Sequence, residues 1–266
     1  RNDGNGRFTD VTLEAGILVE GYGLGLAIND FNNDLYPDIY VSNDFLFDDI
    51  VYINNGDGTF TDRAKDYLKH TSQFGMGVDV QDFNNDLLPD IVQVDMMPED
   101  NYRQKKILGP MAFDFFNLSI KEGYTPQFMR NTLQLNKAET GFAEIGQFAG
   151  IHETDWSWAP LIADYDNDGY KDLFIANGYR KDVTNMDYIL YNQQTTVMNM
   201  FGTEKAKEER IQEQMKKGLD NLEEVKVSNY IFRNEKNLTF KDVTKEWGLD
   251  VPSFSNGAIY ADLDND

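Results

Sequence analysis

Four stretches of this 266-residue chain repeat one order of residues at one spacing, and that repeat constrains the fold more than any other feature. Clusters of Asp and Asn begin at Asp30, Asp82, Asp164 and Asp262, each 22 positions after a phenylalanine: Phe8, Phe60, Phe142 and Phe240. An acidic residue stands two places after each phenylalanine (Asp10, Asp62, Glu144, Asp242), and an aromatic stands eight places before each cluster (Tyr22, Phe74, Trp156, Phe254). The spacing between copies varies only from the end of a cluster to the next phenylalanine. It is 22 positions from Asp38 to Phe60, 52 from Asp90 to Phe142 and 68 from Asp172 to Phe240. A basic unit of about 52 residues thus carries insertions of about 30 and 46 residues, growth that surface loops accept.

Each unit reads as four short strands. Gly23-Leu24-Gly25-Leu26-Ala27-Ile28 and Phe74-Gly75-Met76-Gly77-Val78-Asp79-Val80 are apolar segments whose glycines permit close backbone approach. Behind each cluster comes a second apolar run: Ile39-Tyr40-Val41, Ile91-Val92-Gln93-Val94 and Leu173-Phe174-Ile175-Ala176. A third, Ile50-Val51-Tyr52-Ile53, leads into the turn Asn54-Asn55-Gly56-Asp57-Gly58-Thr59, and a fourth starts at Phe60. Four antiparallel strands in about 50 residues make one propeller blade, which predicts an all-β fold with each acidic cluster in the turn from first strand to second.

The expected boundaries are a last strand of a preceding blade at 1–18, a blade at 19–70, a blade at 71–152 with an insertion at about 97–125, a blade at 153–250 with an insertion at about 182–227, and the start of another at 251–266. The second insertion holds a helical stretch near Glu204 to Glu224, with Ile211, Met215, Leu219 and Leu222 on one face. An open ring would expose strand edges, so a fragment of a longer propeller is expected.

The complete clusters read Asp30-Phe31-Asn32-Asn33-Asp34-Leu35-Tyr36-Pro37-Asp38, Asp82-Phe83-Asn84-Asn85-Asp86-Leu87-Leu88-Pro89-Asp90 and Asp164-Tyr165-Asp166-Asn167-Asp168-Gly169-Tyr170-Lys171-Asp172. Side-chain oxygens recur at positions 1, 3, 5 and 9, leaving the carbonyl of position 7 (Tyr36, Leu88, Tyr170) free to turn inward. A tight loop of that kind can surround Ca²⁺ with the six to eight oxygens it prefers. Carboxylates packed this closely repel one another without a cation. An EF-hand is the nearest confusable pattern, but its Glu at position 12 is replaced by Val41, Gln93 and Ile175, and the flanks are strands.

On these turns, on Asn55-Gly56-Asp57-Gly58-Thr59-Phe60 and on the Gly-rich or Trp-Ala-Pro first strands, the chain resembles the FG-GAP and VCBS repeats of integrin-α-type β-propellers. In particular it resembles multi-repeat VCBS proteins of Bacteroidota, some of which carry an ASPIC/UnbV domain. The resemblance implies a propeller of usually seven blades, here with two partly helical insertions. It also implies calcium ligands at Asp30, Asn32, Asp34, Asp38; Asp82, Asn84, Asp86, Asp90; and Asp164, Asp166, Asp168, Asp172, with the position-7 carbonyls of Tyr36, Leu88 and Tyr170. A fourth set, Asp262, Asp264 and Asp266, stops before its position 9. Position 6 is often Gly in these repeats but is Leu35 and Leu87 here, and position 3 is Asn in the same two turns, so the third site is expected to bind most tightly.

Composition sharpens the choice of partner. With 46 Asp+Glu against 24 Lys+Arg the formal charge is −22, which opposes any phosphate-backbone partner. A hydrophobic content of 41% is enough to bury a core, so the acid serves a folded chain. Absence of cysteine removes disulfides and thiolate sites, and no apolar run approaches the roughly 18 residues of a membrane span. The chain opens in mid-motif at Arg1-Asn2-Asp3-Gly4, so its natural N-terminus is expected upstream.

Both insertions connect second to third strands and so project from the end opposite the acidic turns. Trp156, at the common aromatic position, reads as core, whereas Trp158 reads as the better ligand contact; His70 and His152 read as structural or solvated. No grouping for nucleophilic, metalloprotease or phosphate chemistry is present. The expected function is a calcium-binding extracellular scaffold for protein or glycan binding and adhesion at the cell surface, on the bacterial outer membrane with or without a lipid anchor. The alternatives are an accessory subunit of an outer-membrane uptake or secretion complex, and a polysaccharide lyase-like enzyme.

Overall fold

The computed structural model describes residues 1–107, 112–198 and 204–263. The chain is mostly β, built from three four-stranded antiparallel sheets. In chain order the first holds β1 (Tyr22–Asn29), β2 (Asp38–Asp44), β3 (Ile50–Asn54) and β4 (Phe60–Asp62), followed by the short helix α1 (Ala64–Tyr67) and β5 (Thr71–Ser72). The second comprises β6 (Val78–Gln81) and β7 (Asp90–Gln93), then, after α2 (Asn101–Ile107), α3 (Ala112–Lys121) and β8 (Gln127–Phe128), β9 (Thr132–Asn136) and β10 (Phe142–Glu144), with α4 (Gly146–Ala149) behind it. The third takes β11 (Ser157–Ala163) and β12 (Asp172–Asn177), then, beyond α5 (Met186–Met198), α6 (Glu204–Asn221) and β13 (Val227–Ser228), β14 (Tyr230–Asn234) and β15 (Phe240–Asp242). Finally β16 (Pro252–Ser253) pairs with β13, and β5 pairs with β8. Among the described residues these sheets stand in a row and close no barrel or ring.

The spacing of the repeat has a packing cause. Phe142 stacks edge-on against Phe31 with centroids 6.0 Å apart, and Phe240 meets Phe83 at 5.6 Å. In both pairs the phenylalanine that opens a fourth strand fills the hollow beside position 2 of the preceding acidic turn. Around the first pair Tyr40, Val51, Val80 and Ile91 form the core between sheets one and two. Val92, Leu133, Ile162, Leu173 and Phe232 surround the second pair, between sheets two and three. Phe8, at the head of the series, is 76% exposed.

First strands of neighbouring sheets approach backbone to backbone. A Cβ on Gly25 would lie 2.7 Å from the Met76 carbonyl, and one on Gly77 would run into the carbonyl of Trp158. Only glycine fits such a crossing. The expected strand from Phe74 accordingly begins late, at Val78. A bulge sits at Gly23/Gly25 in β1 and at Ser157/Ala159 in β11, and the equivalent place in the second sheet interrupts its regular ladder. Met76 N–H still reaches the Val94 carbonyl there, at 2.9 Å.

A buried polar network also links the first two sheets. Tyr40 donates its hydroxyl to Asp49 Oδ2 at 2.7 Å, while Asn43 N–H and Gln93 Nε2 donate to Asp49 Oδ1 at 2.8 and 2.9 Å. Burial pushes the Asp49 carboxyl up to about 7, these donors offsetting part of the effect.

At 1–18 the structure has no extended strand. Asn2 and Phe8 make one isolated bridge, and the chain then turns so that the Ala15 carbonyl accepts Phe60 N–H at 2.8 Å. Helices α2 and α3 lie in the β7–β9 connection, and α5 and α6 in the β12–β14 connection, both at the sheet ends opposite the acidic turns. The two insertions touch: Arg103 on α2 pairs with Asp155 and with Asp182, and Lys106 pairs with Asp187 on α5. Among the described residues no helix is long and apolar enough to cross a membrane.

Candidate metal centre

The three acidic turns fold alike. Position 1 uses both carboxylate oxygens to hold the backbone: Asp30 accepts from Asp34 N–H (3.1 Å) and Leu35 N–H (2.8 Å), Asp82 from Asp86 (3.1 Å) and Leu87 (2.9 Å), and Asp164 from Asp168 (3.0 Å) and Gly169 (2.8 Å). Position 5 accepts the N–H of position 7, so Asp34 holds Tyr36, Asp86 holds Leu88 and Asp168 holds Tyr170. The backbone turns left-handed at position 4 (Asn33, Asn85, Asn167) and again at position 6. Position 6 has φ of 72° at Leu35, 70° at Leu87 and 85° at Gly169. Asparagine and glycine tolerate that region, whereas leucine is strained there by about 1 to 2 kcal/mol. Both leucines are exposed at the turn tip, so no burial compensates.

Position 9 is fully buried in all three turns. Asp38 accepts from Phe31 N–H and Asn54 N–H (2.9 and 2.8 Å), Asp90 from Phe83 and Asn136 (3.3 and 2.8 Å), and Asp172 from Tyr165 and Asn234 (3.1 and 2.9 Å). One carboxylate thereby ties its own turn to the end of the third strand. Burial, reinforced by the carboxylates at positions 1 and 5, pushes Asp90 up to about 7; Asp38 and Asp172 also rise, chiefly through burial. A cation beside them would reverse that direction.

In the third turn, Asp164, Asp166 and Asp172 each offer a carboxylate oxygen, and these three atoms lie within 4.8 Å of one another. That is a spacing an oxygen-seeking cation can bridge. Asp168 is turned to Lys236 Nζ at 2.9 Å, and that ammonium also sits 4.8 Å over the Tyr170 ring. Lys236 lowers the Asp168 pKa through this contact. In the first two turns position 3 is an amide, and Asn32 and Asn84 donate to Asp34 and Asp86, both at 2.9 Å. Asp262 lies beyond the third sheet, and Asp264 and Asp266 fall outside the described residues.

Sequence reasoning missed one set of residues. Asn136 Nδ2 donates both to the Pro89 carbonyl of its own turn (3.1 Å) and to the Phe31 carbonyl of the preceding turn (3.0 Å). Asn234 repeats this with Lys171 and Phe83, both at 2.9 Å. Asn54, Asn136 and Asn234 all stand six positions before their phenylalanine, a third constant spacing that could have revealed them. Trp158 donates its indole N–H to the Gly178 carbonyl at 3.1 Å, and Trp156 and Trp158, both partly buried, pack against the core between sheets two and three. His70 is held structurally, with Nε2 2.7 Å from Glu144 Oε2 and its ring edge-on to Phe128.

Residues 30–92 match the family model of the FG-GAP-like repeat. The match runs from the first residue of one acidic turn, through β2, β3, β4 and β6, across the next turn and into β7. The FG-GAP-like unit thus coincides with the interval over which two successive turns are tied together. No curated protein matches the chain significantly.

Proposed function

We propose that this chain is part of a calcium-stabilised, extracellular β-propeller-like scaffold of the integrin-α-like VCBS kind, akin to the Bacteroidota proteins of the ASPIC/UnbV type. The acidic turns hold structural calcium, and the end bearing the insertions recognises a protein or glycan partner at the cell surface or within an outer-membrane complex. The observation that carries the reading is the convergence of Asp164, Asp166 and Asp172 in a turn whose backbone path recurs twice more. Within this proposal, Asp30, Asn32, Asp34, Asp38, Asp82, Asn84, Asp86, Asp90 and Asp168 are further ligands, joined by the carbonyls of Tyr36, Leu88 and Tyr170. Calcium is abundant outside cells and scarce in the cytosol, which favours an exported protein.

A site occupied at 100 times its Kd adds about 2.7 kcal/mol of stability. Three such sites would raise the melting temperature by many degrees over that measured in chelator. Thermal melts in millimolar Ca²⁺, in Mg²⁺ and in EDTA test this, and coincident melts in all three would overturn it.

A further inference from the structure

The β2–β3 connection of the first sheet, residues 45–49, lies at the end opposite the acidic turns and carries two strained residues in succession. Phe45 has φ of 40° and Leu46 φ of 72°. Side chains with a Cβ adopt such angles at a cost of about 1 kcal/mol or more each. Phe45 is 46% exposed, and its ring lies parallel to that of Phe74 in the second sheet, with centroids 5.9 Å apart and planes 14° apart.

These two rings form part of the wall of a cavity of about 470 Å³. Tyr22 and Trp156 complete its aromatic lining, and Met76 and Met96 add thioethers. Tyr22, Phe74 and Trp156 occupy the same repeat position, eight residues before their acidic turns, so three successive sheets each contribute one ring. Trp156 is stacked with Tyr179 at 4.2 Å and with Trp158 at 6.0 Å, which fixes its plane. Among the described residues Asp44 is the one charged residue of the lining, and its buried Oδ1 has no hydrogen-bond partner among them. Among the described residues no lysine or arginine lines the cavity. Burial raises the Asp44 carboxyl, outweighing the Phe45 N–H that lowers it, as expected of a carboxylate with no cation beside it.

Ring faces are electron-rich and attract a cation within about 6 Å, by about 0.5 kcal/mol when exposed and 2 or more when desolvated. A carboxylate among such rings adds to that attraction, and a chain of formal charge −22 draws cations toward it. A bare metal ion would find one carboxylate where calcium takes at least six oxygens. An anion would be repelled, and a neutral apolar group would leave Asp44 unpaired. A methylated ammonium satisfies every wall, since its methyl groups pack on rings and thioethers while its charge faces Asp44.

We propose that this cavity binds a methylated ammonium group. The assignment takes from the preceding reading only that the end opposite the acidic turns is the recognition face. Three probes carry the group from different sources: free choline, a trimethyllysine peptide and phosphatidylcholine vesicles. Calorimetric titration in buffer containing Ca²⁺ should show saturable binding of at least one, with the tightest naming the source. The neutral isostere of choline, 3,3-dimethylbutan-1-ol, should bind at least about tenfold more weakly. Asp44→Asn and Phe45→Leu should each weaken the best probe about five- to tenfold while leaving the melting temperature unchanged. The proposal is overturned if no probe binds below about 10 mM, if the isostere binds equally, or if neither variant changes affinity. None of the lining residues belongs to an acidic turn, so a melt insensitive to calcium would refute the calcium reading and leave this titration intact.

Discussion

Ser255 donates its backbone N–H to the carbonyl of Asn177 at 3.1 Å. Gly75 makes the same bond to Asn43 at 3.2 Å, and Ser157 makes it to Asp95 at 3.1 Å. The donor always stands seven places before an acidic turn and the acceptor five places after the preceding one. The segment before each later acidic turn is thus fixed just past the end of the previous sheet's second strand, and both insertions enter after that acceptor. Four consequences of this construction can be measured.

The strain at position 6 separates backbone from contact effects. Among the described residues nothing lies within 4 Å of a Cβ built on Gly169, so Gly169→Leu changes little but the cost of a positive φ. It should lose about 1 kcal/mol in urea unfolding, and Leu35→Gly should gain about 0.5 to 1 kcal/mol. Equal stabilities for both variants and the parent would contradict the left-handed assignment.

Carboxylate count should set the order of metal affinities. Asp166→Asn gives the third turn the amide that the first two have at position 3, and its Ca²⁺ affinity should fall about tenfold. Asn32→Asp should strengthen the first turn by a similar factor. Calorimetric titration resolves the sites, and an unaltered third-site affinity in the Asp166 variant would remove that residue from the ligand set.

Asp49 predicts a pH dependence of definite sign. Its carboxyl is raised from 3.8 to about 7 in the folded chain, so the folded state holds a proton that the unfolded state has released. The stability it contributes is complete below about pH 4 and is lost as pH rises through about 7. Asp49→Asn keeps an acceptor for Asn43 and Gln93, while the Tyr40 hydroxyl can turn to Gln93 Oε1, already 3.3 Å away. The variant should therefore gain on the parent between about pH 4 and 7 and level off above that, as read from the difference between paired denaturant midpoints. A pH-independent difference would show that Asp49 is ionised when buried.

The asparagines between turns should not be equal. Asn136→Ala leaves two buried carbonyls, of Phe31 and Pro89, without their donor and should cost about 2 to 3 kcal/mol. Asn54 donates to one exposed carbonyl, of Pro37, so Asn54→Ala should cost under about 1 kcal/mol through this contact. Comparable losses at the two positions would deny the link between neighbouring turns.

Much of this construction was legible in the sequence because it depends on local chemistry. Glycine, asparagine and aspartate at set intervals dictate turns, and apolar alternation dictates strands, so the three sheets and the acidic turns follow from spacing alone. The role of Asn136 was hidden because its partner Phe31 is 105 residues away, although the six-residue offset to Phe142 was countable. The bond from the Trp158 indole to the Gly178 carbonyl is invisible in sequence because the two residues stand 20 positions apart. The short strand at β6 was overextended because a bulge depends on the neighbouring sheet. Asp44 went unremarked because its character arises only where three sheets bring their aromatic residues together.

Each bridging asparagine reaches back to one turn and no further: Asn136 needs the Phe31 carbonyl, and Asn234 needs that of Phe83. All of these acceptors lie N-terminal to their donors. In a chain made from its N-terminus, the Phe31 and Phe83 carbonyls therefore stay without these donors until the following sheet's third strand has been added, so the links between turns close in chain order.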